Sequence, residues 1–251
     1  GLQRLLDARE AERLGRRQGA CALIADALIE VAAARRSVAA DADTARAVEA
    51  LAEDVRALER GVVEALLRLY QFDAQAVDAP PLPLQQGRWE HDLFSAEALR
   101  DAGVKLGGGA AAGAAAGLGI DLAVGGISLG AAALLGAAAG GGLQAARRFG
   151  RRIAARVRGS RELSVEEPVL RLLALRLLAL AQALERRGHA AETPVALGDE
   201  SQAWRQRALP APLRRARAHP EWSSLSADRI DRPSRDPAAS ELAAGLLAEL
   251  D

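Results

Sequence analysis

The sequence predicts an all-α fold: long antiparallel helices, a Gly/Ala-rich helical hairpin and an irregular, proline-containing C-terminal tail. Three observations predict it. Apolar residues recur three and four apart over long runs, the period of a helix with one buried face. Runs of β-branched residues, the mark of strands, are nearly absent. From Gly109 to Gly142 glycines recur four apart in an alanine-rich stretch, a spacing that stacks small residues on one helix face.

The first helix is expected over roughly 2–36, with Leu23, Ile24, Ala27, Leu28 and Val31 on one face. Cys21 falls inside it and reads as a small buried side chain. In the second helix Val48, Leu51, Val55, Leu58, Val62, Ala65 and Leu69 form an a/d seam. Glu49, Glu53, Asp54, Arg56, Glu59 and Arg60 are expected to face outward. The short gap between the runs predicts an antiparallel pair over 1–77.

Prolines then predict a linker over 78–94, because they cannot continue a helix. Region 95–146 opens with a short helix. Ser95 is its expected N-cap, Phe94 and Leu99 form a hydrophobic staple, and Gly103 ends it. Region 147–188 begins with seven arginines and no acid between Arg147 and Arg161. It continues into V-L-R-L-L-A-L-R-L-L-A-L-A-Q-A-L, apolar on nearly every side and so expected to be buried. Region 189–251 is punctuated by prolines and is expected to be mostly irregular, closing on a short helix capped by Ser240.

Half of the 251 residues are apolar, enough for a sizeable core. The 33 cationic and 33 acidic side chains cancel, so no global field selects a partner. Lys105 is the only lysine. A lone cysteine excludes an intramolecular disulfide and fits a reducing compartment. The opening residues read as mid-helix, with no secretion signal, so a longer parent protein is expected.

The chain carries no P-loop, and Lys105 is followed by Leu106. His91, His189 and His219 lack zinc-ligand spacing, and Glu90, His91 and Asp92 beside Trp89 read as a solvated or structural cluster. No enzyme activity, metal or cofactor is therefore expected in this chain. G-I-S-L-G at 126–130 matches a nucleophile elbow centred on Ser128, which makes a serine hydrolase the weaker alternative. That elbow needs a strand before it, a parallel sheet and a nearby histidine. The Arg runs at 147–161 and 204–219 lack interleaved aromatics, so nucleic acid is not the expected partner.

Leu106–Ala146 spans 41 residues with Asp121 as its one charge. Asp121 with Gly125 and Gly126 is the expected hairpin turn. Gly109, Gly113, Gly117, Gly126, Gly130, Gly136 and Gly140 are the expected helix contact. Arg147, Arg148, Arg151 and Arg152 would meet anionic headgroups. Magnitudes temper a bilayer-spanning reading. Only ten of the 41 residues are Leu, Ile or Val. The arm before Asp121 is about 22 Å of helix at 1.5 Å per residue, short for a ~30 Å core. An aspartate at the bilayer centre costs about 2.5–3.5 kcal/mol. Conditional insertion, self-assembly, or a soluble hairpin packed inside an interaction scaffold fits at least as well.

Three blocks, R-W-E-H-D-L-F-S-A-E-A-L from Arg88, the glycine-alanine block from Gly109, and L-P-A-P-L-R-R-A-R-A-H-P-E-W-S-S-L ending at Leu225, carry a family resemblance. Together they resemble an uncharacterised bacterial domain that follows an Era-like (HSR-type) small GTPase domain in one polypeptide. The resemblance implies a GTP-binding domain ahead of Gly1, with GTP and Mg bound there and not in this chain. It implies an effector or membrane-association module, with the attached GTPase domain, inner-membrane lipid and a second copy as expected partners. The expected location is the cytoplasm, peripheral to or inserted in the inner membrane.

Overall fold

The structure, a computed structural model, describes residues 2–39, 42–72, 84, 89–104, 120–123, 161–187, 204, 208–226 and 230–250. Among these residues the chain is mostly helical, as expected, with six α-helices, one 3-10 turn and a small sheet.

Helices α1 (Leu2–Ala33) and α2 (Thr44–Leu69) form the antiparallel pair, with Leu69 at the end of α2 lying against Gly19 in mid-α1. Asp43 caps α2 by accepting from the Arg46 N–H at 3.1 Å. The helix ends with Gln71 at φ 52, where the Gln71 and Phe72 N–H groups close onto the Arg68 and Leu67 carbonyls. That is a Schellman ending with a residue other than glycine in the left-handed position.

The buried face of α2 is rotated from the expected seam. Leu51, Ala52, Val55, Glu59, Val63 and Leu66 are buried, while Val48, Leu58 and Val62 flank them. Glu59, expected to face outward, therefore points into the core. The cause is Arg176 on a neighbouring helix, which supplies the counter-charge that a buried carboxylate requires. On α1, burial begins at Ala20. The first half of the helix projects, with Leu2, Leu5, Leu6 and Leu14 exposed.

Contrary to the expected absence of strands, β1 (Arg35–Val38), β2 (Ile120–Ala123) and β3 (Arg161–Val165) form a sheet of order β1-β3-β2, antiparallel throughout. The strands are four or five residues long and their partners are far apart in sequence, so no local period announces them. Leu163 and Val165 face the core from the central strand.

Helix α3 (Ala96–Asp101) has the expected ends. The Ala98 N–H donates to Ser95 Oγ at 3.1 Å, and Gly103 takes φ 65. The Val104 N–H then returns to the Leu99 carbonyl at 3.0 Å, with both side chains buried. Helix α4 (Glu167–Arg187) is the buried apolar helix. Leu170, Leu173, Leu177 and Leu180 are fully buried, each contributing about 1.5–3 kcal/mol over an exposed state.

After α5 (Ala211–Ala216) and a 3-10 turn (Pro220–Trp222), the tail is more regular than its prolines suggest. Helix α6 (Arg232–Leu250) starts well before Ser240, which lies in its interior. Asp231 starts it: its carboxylate accepts from Ser234 Oγ at 2.7 Å and its carbonyl from the Arg235 N–H at 3.1 Å. Pro233 sits in the first turn, and Pro237 forfeits one backbone bond. Ala238, Leu242 and Leu246 pack this helix against the core, chiefly on α1.

Candidate functional site

Two arginine-centred clamps organise the surface around the helical body. The first holds the Trp89–Ser95 strap. Arg176, on the mainly apolar α4, pairs with Glu59 of α2 at 3.2 Å and donates to the His91 carbonyl at 2.6 Å. Its guanidinium also lies over the Trp89 ring, 5.1 Å from the centroid. Arg56 of α2 donates to both oxygens of Asp92, at 2.8 and 3.3 Å, and lies 5.3 Å over the Phe94 ring. Each guanidinium thus meets both a carboxylate and an aromatic ring.

Electrostatics follow this geometry. Burial pushes the Glu59 carboxyl above its ordinary range, and Arg176 offsets part of that rise. Burial also opposes ionisation of Asp92, but the Arg56 guanidinium and the Phe94 N–H outweigh it and hold the carboxyl below its ordinary value. Hydrogen bonds that Arg56 donates to Asp92 and Glu49 raise its pKa, so it remains charged. The Glu90–His91–Asp92 cluster is thereby structural at Asp92. His91 turns its ring toward Asp101, 3.5 Å away.

The second clamp fastens the P-E-W-S-S-L stretch to α1 and α6. Glu30, buried on α1, accepts from the Ser224 N–H and Oγ, each at 2.6 Å, and from Ser223 Oγ at 3.2 Å. Arg235 of α6 reaches Asp26 at 2.5 Å and Glu30 at 3.4 Å. Trp222 donates to Ser234 Oγ at 2.6 Å, and His219 stacks on its ring at 4.2 Å. Nearby, Arg35 donates to the Ala32, Ala34 and Arg217 carbonyls, and Arg217 donates to the Val165 carbonyl. These bonds give partners to carbonyls at the ends of α1, α5 and β3.

The expected hairpin turn is corrected. Asp121 is a residue of β2, paired with Ser164 of β3, so its backbone belongs to a ladder and not to a turn. β2 accordingly divides the Gly/Ala segment of 106–146 into 106–119 and 124–146. Ala123 pairs with Glu162, so 124–160 departs from and returns to neighbouring points on the sheet. Gly109, Gly113, Gly117, Gly126, Gly130, Gly136 and Gly140 lie outside the described residues, as do Arg147, Arg148, Arg151 and Arg152.

Ser128 and His189 also lie outside the described residues. A strand does precede the G-I-S-L-G, but it is an edge strand of an antiparallel sheet, whereas the nucleophile elbow sits in a parallel one. His219 is engaged with Glu221 and Trp222. Among the described residues, no cluster of His, Cys, Asp or Glu has the makings of a metal site. Among them too, no helix is long and apolar enough to cross a membrane.

Sequence reasoning passed over Glu59, Arg56 and Arg176 as a unit, and Glu30 with Arg235. One signal was present: Arg171 and Arg176 interrupt an apolar helix, and a buried guanidinium demands partners. Arg171 finds Glu167 and the Trp204 carbonyl, as Arg176 finds Glu59 and the His91 carbonyl. The two blocks flanking the glycine-alanine block supply the segments these clamps hold, Trp89–Ser95 in the first and Trp222–Ser224 in the second.

No curated protein and no solved structure matches the chain. Its sequence does match one family, described as a domain of unknown function (DUF3482), over residues 1–244. The chain therefore belongs to the DUF3482 family.

Proposed function

We propose that this chain is a helical effector module that carries its Gly/Ala segment to one leaflet of a membrane, or to another copy of itself, under the control of an attached small GTPase domain. One observation carries the reading. Ala123 and Glu162 are paired, so 124–160 leaves and re-enters the body on the same side.

That pairing changes the arithmetic of insertion. With Asp121 in the sheet, Val124–Ala146 carries no charge, and the Arg run follows at once. A single crossing would oblige those arginines to cross back, at about 2.5–3.5 kcal/mol each near the centre. Folded back as two helical arms, the uncharged stretch reaches about 17 Å at 1.5 Å per residue. That is roughly half of a ~30 Å hydrocarbon core. Association with one leaflet, with Arg147, Arg148, Arg151 and Arg152 at the headgroups, fits these lengths. The small residues at Gly109, Gly113 and Gly117 suit close helix contact. GTP and Mg would be bound by the attached domain.

Vesicle flotation of the full-length protein, with GTP, with GDP and without nucleotide, tests the reading. Co-flotation with anionic vesicles is expected, weakened by salt and by the Arg147→Gln/Arg148→Gln/Arg151→Gln/Arg152→Gln variant. Gly113→Leu/Gly117→Leu should block close packing and reduce assembly. Absence of flotation in all three nucleotide states overturns membrane association. It would favour a second reading, a soluble interaction scaffold regulating the GTPase, which the exposed Leu2, Leu5, Leu6 and Leu14 on projecting α1 support.

A further inference from the structure

The Trp89–Val104 stretch makes its own backbone hydrogen bonds. The Phe94 N–H donates to Asp92 Oδ1 at 2.9 Å and the Ser95 N–H to the Asp92 carbonyl at 3.1 Å. Ser95 then caps α3, and the Gly103 and Val104 N–H groups close it at 2.9 and 3.0 Å. Among the described residues, no backbone group of this stretch pairs with a backbone group elsewhere. Its ties to the body run through side chains. Arg176 holds the His91 carbonyl and the Trp89 ring, Arg56 holds Asp92 and the Phe94 ring, and Leu93, Phe94, Ala98, Leu99 and Val104 are buried.

We propose that Trp89–Val104 is a clasp that docks on and undocks from the α2/α4 face as one unit, with Arg56 and Arg176 as its two latches. Among the described residues, undocking breaks no backbone–backbone bond between this stretch and the body. It exposes apolar side chains and separates charges that water readily solvates. Sub-global opening of this kind is typical of contiguous supersecondary units. The latches are unequal. Arg176 is buried, and its loss also strands Glu59. Arg56 is partly open to solvent and already shares Glu49 and Glu53 on its own helix, so it keeps partners when Asp92 leaves. Weakening the Arg56 latch therefore shifts docking while leaving the core intact.

Val104 directly precedes Lys105 and the Gly/Ala segment in the chain, so undocking moves that segment's point of attachment. That consequence rests on the reading given under Proposed function; the opening itself does not.

Native-state labelling with a small maleimide tests the clasp on the full chain. Ala98→Cys places a thiol at a buried clasp position with minimal change of volume. Cys21, buried on α1, is a built-in reference for opening of the body. The clasp thiol is expected to react at least tenfold faster than Cys21. Arg56→Gln should raise its rate about tenfold and leave Cys21 unchanged. Val104→Cys provides a second reporter with the same expectation. If both clasp thiols react only in step with Cys21, or not at all, the clasp is overturned. A clasp that opens in a protein that never floats with vesicles would leave the device standing and remove its membrane consequence.

Discussion

Arg176 of α4 lies 3.2 Å from Glu59 of α2, with both side chains more than nine-tenths buried. Removing one partner of such a pair leaves the other charged and desolvated, whereas replacing both restores an apolar contact. Arg176→Met alone is expected to cost about 3–5 kcal/mol. Arg176→Met/Glu59→Leu should recover most of that, although the His91 carbonyl loses its donor. Urea unfolding of the two singles and the double measures this. A double variant as unstable as the sum of the singles would refute it.

Asp92 and Glu59 bend the pH–stability curve in opposite directions. Asp92 is depressed in the fold, so its contribution is present above its ordinary 3.8 and is lost as pH falls through the folded value. Glu59 is raised by burial, so stability declines as pH rises from its ordinary 4.5 through the folded value. Asp92→Asn should remove the acid-side loss, with an effect of about 1 kcal/mol or less because the carboxylate is partly exposed. Urea midpoints taken from below 3.8 to above 4.5 read both slopes.

Gln71 ends α2 at φ 52, in the left-handed region. An L-residue there carries about 1–2 kcal/mol of strain that glycine lacks, offset in part by glycine's greater freedom when unfolded. Gln71→Gly is expected to stabilise by up to about 1 kcal/mol. A lowered thermal midpoint would contradict the Schellman ending.

Gly61 lies inside α2 with open space where a Cβ would stand. Gly61→Ala should stabilise by about 0.8–1 kcal/mol through helix propensity alone, raising Tm by about 2–4 °C. Gly19→Ala should give less. Its Cβ would stand 3.3 Å from Leu69 Cδ2, a flexible methyl that has to shift. Equal gains at the two sites would mean that Leu69 does not press on α1.

The long helices and the ends of α3 were legible in sequence because their causes are local, whereas α6 starts well before its expected cap at Ser240. Ser95, Phe94, Leu99 and Gly103 act within one turn of the residues they cap or staple, and the apolar surround of α4 announces a buried helix. Tertiary structure alone decided the rest. Asp121 became a strand residue because Ser164, far along the chain, supplies its partner. Arg35 and Val165 lie far apart in sequence, yet both meet Arg217. Glu59 turned inward because Arg176 on another helix neutralises it. Periodicity reports which face a residue shares with its neighbours in the chain. Whether a charge or a four-residue strand is buried depends on a partner brought from elsewhere, and only the folded chain supplies it.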